Sequence, residues 1–323
     1  MSVLKILATA ALAILVAPLA VEAQPAAKVW RIGFLSPGFP PPPFALLQGL
    51  RELGYVEGQN TAVEARWAEG HVDRLTELAA DLVRLKVDVI FANGYLAILA
   101  AKTATKTIPI VFSTHVDPTG TGLVASLARP GANLTGSTLM SPELAGKRLE
   151  LLRELVPGVS RVAVLMYTAN PGFVPTMKQT EAAARSLGVR LHLVEANTPG
   201  EFERAFSAMG EGGATALHVQ LELMFLAQRA RIVELAARTR LPAMYDVREF
   251  VDAGGLISYG PRLSEELRRL ATHVHKILRG MNPANLPVEQ PTRFELVINL
   301  KTAKALGLTI PRSVLIRADE VIE

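Results

Sequence analysis

The 323-residue chain contains no cysteine. Disulfides, thiolate metal sites, cysteine nucleophiles and a lipid-modified N-terminal cysteine are thereby excluded. Aromatic residues are scarce, at 6 %. No basic stripe with interleaved aromatics occurs, so a nucleic-acid partner is not expected. The basic residues lie close to acids, as in Arg51-Glu52 and Arg148-Leu149-Glu150. Long hydrophobic runs are lacking except at the start, where Lys5 precedes an apolar stretch from Ile6 to Ala20 interrupted by Pro18. That stretch is short for a bilayer span. Val21-Glu22-Ala23 places small residues at the −3 and −1 positions of a cleavage site before Gln24. This is the layout of a secretory signal peptide over residues 1–23, the alternative being an uncleaved anchor. A secreted protein without an anchor would diffuse away unless enclosed, which points to the periplasm.

Enzyme signatures are weak. Gly120-Thr121-Gly122-Leu123-Val124-Ala125 fits G-x-G-x-x-A, but it does not follow the first strand and has no acidic partner at the required spacing. The six histidines show no metal-ligand spacing; His273 and His275, two apart on a helix, point different ways. No G-x-S-x-G elbow exists for a hydrolase nucleophile. No enzymatic activity, cofactor or metal is therefore expected.

What is present is an alternation of short β-rich runs and helical stretches. Val29–Leu35, Thr61–Trp67, Val87–Phe91 and Ile108–Phe112 read as strands. Between them lie helices at Phe44–Gly54, Asp73–Leu85 and Tyr95–Lys106. Such alternation predicts a parallel sheet covered on both faces. The order then restarts about 130 residues later by this coarse strand reading. It runs through helix Pro142–Leu155, strand Arg161–Met166, a helix ending at Leu187-Gly188, and strands Val189–Glu195 and Ala214–Val219. Thr198-Pro199-Gly200-Glu201 predicts a capping box. Strands Pro242–Tyr245, Leu256–Ser258 and Thr292–Val297 and helices Ser264–Leu278 and Leu300–Leu306 complete the chain. The fold class is α/β, with two Rossmann-like doubly wound lobes. The expected lobes are 28–140 plus 262–282 and 141–261 plus 283–323, joined by three crossings that form a hinge.

In such sheets ligands bind beyond the carboxyl ends of the strands. The first lobe thus offers Ser36, Asn93, Gly94, Tyr95, His115 and Asp117 as binding candidates, and the second Tyr167, Asn170, Glu222 and Tyr245; Tyr259 sits near a crossing. Asn93-Gly94 either presents backbone amides to a carboxylate or is only a strand-to-helix turn. Asp117 either binds an ammonium or only caps the next turn. The tyrosines either stack on a ring or pack half-buried. For Arg248 and Glu249, a structural ion pair is weighed against a latch between lobes.

Several segments resemble one family. They include Phe34-Leu35-Ser36-Pro37-Gly38, Gly49 through Asn60, Asp117 through Val124 and Gly146 through Leu152. Arg248-Glu249-Phe250-Val251, Gly254 through Gly260 and Phe294 through Ala303 belong to the same pattern. From about Arg31 to Glu323 the chain is similar to the substrate-binding proteins of ABC transporters, the tryptophan-importer type among them, with the type I periplasmic-binding-protein fold. The resemblance implies a ligand in the interlobe cleft, a membrane permease and its ATPase as partners, a monomer, and an aromatic or apolar amino acid as solute. A ligand-sensing domain feeding a receptor, or a two-lobed enzyme using the same cleft, is the alternative. The chain departs from the family pattern at Phe39 with Pro40–Pro43, at Asn93-Gly94-Tyr95 and at Glu222-Leu223.

Overall fold

A computed structural model describes residues 28–38, 44–139 and 142–323, with the side chains of residues 142 and 143 left aside. The expected signal peptide (residues 1–23) and the run 39–43 lie outside these residues. Two sheets form. The first contains β1 (Trp30–Ser36), β2 (Thr61–Trp67), β3 (Val89–Asn93), β4 (Ile110–Thr114) and β5 (Leu134–Thr138), in the order β2-β1-β3-β4-β5, all parallel. The second contains β6 (Arg161–Met166), β7 (Arg190–Glu195), β8 (Ala216–Val219), β9 (Ala243–Tyr245) and β10 (Ile257–Gly260), followed by β11 (Glu295–Asn299) and β12 (Glu320–Ile322). Its order is β12-β11-β10-β9-β8-β6-β7, and only the β10–β11 pair is antiparallel. The stretch β7-β6-β8-β9-β10 repeats the first sheet's β2-β1-β3-β4-β5, as the restarted sequence pattern predicts.

Period-two alternation distributes each strand's side chains over two cores. Val89 and Phe91 of β3 join Ile32, Phe34 and Val111 on one face, while Ile90 and Ala92 join Leu35, Ile110 and Phe112 on the other. Helices α1 (Phe44–Glu52) and α10 (Leu263–Leu278) cover the first face; α2 (Leu75–Arg84) and α3 (Tyr95–Ala104) cover the second. Helix α10 buries Leu270, Ala271, Val274, Ile277 and Leu278 against this core although its neighbours in sequence belong to the second sheet. Each large side chain so buried contributes about 1.5–3 kcal/mol relative to exposure. Gly49 lets α1 and α10 approach, since a Cβ there would sit 2.6 Å from the Arg268 carbonyl oxygen.

The second lobe is covered by α4 (Pro142–Leu155), α5 (Phe173–Ser186), α6 (Phe202–Glu211), α7 (Leu223–Ala227), α8 (Arg229–Arg238), α9 (Glu249–Asp252), α11 (Leu300–Leu306) and α12 (Arg312–Leu315). The chain passes between the sheets after β5, after β10 and before β11. After α10 it stays beside β5 as far as Glu289, whose N–H donates to the Gly136 carbonyl (2.9 Å). The stretch 283–289 therefore lies against the first sheet, beyond the expected end at 282. β5 escaped the sequence reading because Leu134-Thr135-Gly136-Ser137-Thr138 has little apolar pattern, and β12 because it is three residues long. The expected capping box does not close. Thr198 makes no side-chain cap, and Glu201 accepts instead from the Asn197 N–H (2.8 Å).

Candidate functional site

In each sheet the strand order reverses around one strand, β1 in the first and β6 in the second. A crevice opens beyond the carboxyl ends at such a point. The two crevices face each other here and enclose a cavity of about 360 Å³, within the range of small-molecule sites. The first lobe contributes Pro37 and Gly38 after β1 and Gly94, Tyr95 and Leu96 after β3; the second contributes Tyr167 and Asn170 after β6 and Glu222, Leu223 and Met224 after β8.

The lobes touch at a buried polar seam beside this cavity. Glu222, 5 % exposed, accepts from His115 Nε2 (3.1 Å) and Asn170 Nδ2 (2.9 Å) with Oε2. Its Oε1 accepts from the Leu223 N–H (2.9 Å). Burial by itself would raise the Glu222 carboxyl, but the facing His115 and the three donated hydrogen bonds outweigh it and hold the group below its ordinary value. Asn170 is fixed in turn, its Oδ1 accepting from the Gly172 N–H (3.0 Å). The His115 ring packs on Phe173 of the opposite lobe at 5.5 Å. Gly94, at φ +87, occupies a conformation that other residues adopt only with strain, and a Cβ there would lie 2.8 Å from Leu223 Cδ1. Glycine thus serves both the turn and the approach of the lobes. Helix α3 starts immediately after it without a side-chain cap, so its first-turn N–H groups have no intrahelical acceptor.

The candidates divide clearly. Gly94, Tyr95, Tyr167, Asn170 and Glu222 meet at the cavity, with His115 completing the seam. Burial raises the hydroxyl pKa of Tyr95, and of Tyr167 together with the nearby Glu222 charge. Ser36 is buried and accepts from the Gly38 N–H (3.1 Å), shaping the β1 turn behind the lining. Asn93 faces a neighbouring chamber. Three candidates lie elsewhere. Asp117 caps its own turn, accepting from the Thr119 N–H (2.9 Å). Tyr245 is a core residue stacked on Phe250 at 4.8 Å, and burial pushes its hydroxyl pKa strongly upward. Tyr259 packs toward the core behind β10, near Phe294, and offers its carbonyl to Arg148 Nε (2.7 Å).

Residues not anticipated line the outer rim: Glu69, Gly70, His71 and Val72 after β2, and Asn197, Thr198 and Pro199 after β7. The strand-end rule nominates them as well, once β2 and β7 are known to flank the reversal points. Arg148 does not pair with Glu150. It reaches Asp246 (3.0 Å), which also accepts from His218 Nε2 (2.8 Å) and the Leu221 N–H (3.0 Å). Burial alone would raise the Asp246 carboxyl, yet Arg148 and His218 hold it down to about 2. Arg248 pairs with Asp252, Glu295 and Glu320 of its own lobe, not with Glu249. His275 meets the Tyr55 hydroxyl (3.0 Å) and His273 the Pro287 carbonyl (3.2 Å). No helix follows Gly120-Thr121-Gly122 closely enough to cradle a phosphate, for residues 117–133 hold only turns and bends. Among the described residues no cluster of His, Asp and Glu could hold a metal, and no helix is long and apolar enough to cross a membrane.

The family model described as ABC transporter substrate binding protein matches residues 45–322. The chain belongs to this family. As a substrate-binding protein it is similar to the Tyrosine-binding protein of Clostridioides difficile, 26 % identical over 266 residues, which cover 81 % of this chain and 75 % of that one. A crystal structure of a conserved domain protein from Vibrio cholerae is 28 % identical, with a TM-score of 0.86, over 91 % of this chain and 100 % of that one. An ABC domain in complex with L-Trp from Streptococcus pneumonia is 25 % identical, with a TM-score of 0.84 over the same shares. The two α/β lobes of this substrate-binding protein are therefore those of type I periplasmic binding proteins.

Proposed function

We propose that this substrate-binding protein carries an aromatic amino acid to an ABC permease and its ATPase, closing its lobes around the solute in the cavity between β1/β3 and β6/β8. The observation that carries the reading is the seam: His115 of one lobe and Asn170 of the other converge on the Glu222 carboxylate beside a cavity that both lobes line. A solute touching both lobes favours the closed arrangement, because only differential contact shifts such an equilibrium. Glu222, kept ionised, faces the solute's ammonium in the role expected of Asp117. The free N–H groups at the start of α3 face its carboxylate. Tyr95, Leu96, Tyr167 and Met224 surround its ring. The relative named for tyrosine and the structure holding L-Trp support an aromatic solute.

Export through the signal peptide at residues 1–23 would place this carrier in the periplasm. It acts without a cofactor and without turnover, as a monomer. The lobes are taken as the two sheets with their helices, the first including α10 and the strand-flanking stretch to Glu289.

A thermal-shift screen of the mature chain against the amino acids tests the reading, since a ligand of the native state raises the melting temperature. L-Trp and L-Tyr are expected to give the largest shifts, and calorimetry to give one site per chain with the ligand recovered unchanged. Conversion of the ligand, or shifts from neither aromatic amino acid, would overturn it.

A further inference from the structure

On the other side of Leu223 lies a second chamber of about 380 Å³, close to the crossings between lobes. Leu223 lines both spaces. Asn93, Ser113 and His115 of the first lobe and Leu221, Leu226 and Glu249 of the second form its walls, and Leu263, Glu266 and Leu267 at the start of α10 close its back. The chamber is mostly apolar, yet two carboxylates belong to it. Glu266 is 3 % exposed; its Oε1 accepts from Arg269 (3.1 Å), while its Oε2 is buried without a hydrogen-bond partner. Glu249 Oε2 is likewise buried and unpartnered. Burial raises both carboxyls above their ordinary values. Two orphaned carboxylate oxygens against leucine walls are costly unless something donates to them.

A protonated primary amine supplies what is missing: three N–H donors and one positive charge, attached to a body the leucines can cover. An anion would instead meet two carboxylates. We propose that this chamber is a second ligand site, which takes an apolar primary amine without a carboxylate and seats its ammonium between Glu249 and Glu266. The proposal rests on the two-lobed carrier reading in one respect, the coupling. Both spaces are walled by both lobes, so an amine in the chamber favours the arrangement that binds solute in the main cavity. The two ligands then strengthen each other's binding reciprocally.

The test uses the mature chain with 2-phenylethylamine as the cationic probe and 3-phenylpropionate as its anionic counterpart. The amine is expected to raise the melting temperature and the anion not. Saturating amine is expected to lower the calorimetric Kd for L-Trp by about fivefold or more. The double substitution Glu249→Gln with Glu266→Gln is expected to abolish both amine effects and to retain L-Trp binding. Leu263→Phe, which adds bulk to the chamber wall and leaves both carboxylates in the chain, is expected to abolish them as well. Displacement of L-Trp by the amine, an equal response to amine and anion, or an unchanged amine response in both variants would overturn the proposal. Should L-Trp itself not bind, direct calorimetry of the amine on the native and Gln-substituted chains still decides it, so the two readings fail separately.

Discussion

The two lobes share one strand order but complete it differently, and the difference shows how the cleft is built. The first sheet ends at five strands and has one face completed by α10, a helix that the chain reaches only after β6 to β10 of the second sheet. The second sheet adds β11 and β12 at its edge. At the cleft the asymmetry continues. The first lobe offers backbone N–H groups, Tyr95 and His115, whereas the second offers the carboxylate and amide of Glu222 and Asn170. Repeating a topology thus fixes where the cleft lies, while the loop residues of each copy set its charge.

The second lobe's buried charge gives the largest expected effect. Arg148→Met leaves Asp246 buried without its guanidinium and is expected to lower unfolding free energy by about 3–5 kcal/mol. Arg231→Met, which removes the exposed pair with Glu203, is expected to leave stability nearly unchanged. Urea titration compares them. The Asp246 carboxyl lies below its unfolded value, so its contribution is present above about pH 4 and is lost as pH falls toward 2, amounting to about 2 kcal/mol. Arg148→Met is expected to flatten that part of the acid profile.

Helix packing gives the next contrast. Gly49→Ala places a Cβ against the backbone of α10 and is expected to destabilise by about 1–3 kcal/mol. In the second lobe Gly146→Ala meets only Ala183 Cβ at 3.8 Å. Its better helix propensity is expected to stabilise by up to about 1 kcal/mol. Equal effects in denaturant titrations would dissolve the distinction between the lobes' helix contacts.

Binding effects follow. Tyr167→Ala and Glu222→Gln are each expected to weaken L-Trp binding about tenfold or more, a difference of about 1.4 kcal/mol. Tyr259→Ala and Asp117→Asn are expected to leave the calorimetric affinity unchanged, because one ring packs behind β10 and the other side chain caps its own turn. Asp117→Asn gives the smallest change of all.

Strands with continuous apolar runs, such as β1, β3 and β6, were legible in the sequence because burial on both faces leaves that signature. β5 was not, since threonine, serine and glycine fill it. At the main cavity, the strand-end rule nominates Gly94, Tyr95, Tyr167, Asn170 and Glu222, which all line it. It misjudged Tyr245 and Tyr259 for a reason the residues themselves contain. Tyr245 lies two positions after Ala243 and Tyr259 two after Ile257, so alternation along a strand points each ring to the same core as its partner. Asp117 failed differently: a carboxylate followed two residues later by a free N–H bonds locally. The pairing of Arg148 with Asp246 joins residues 98 apart in sequence, and no local pattern announces it.

On the proposed function, solute held between β1/β3 and β6/β8 draws two separate lobes together. Because the chain has no cysteine, Glu77→Cys on α2 and Arg204→Cys on α6 provide one spin label per lobe at exposed positions. Pulsed electron–electron distance measurement should show a shorter and narrower distribution with L-Trp than without it, and Glu222→Gln should weaken that response. A distribution unmoved by L-Trp that calorimetry shows to be bound would contradict the account.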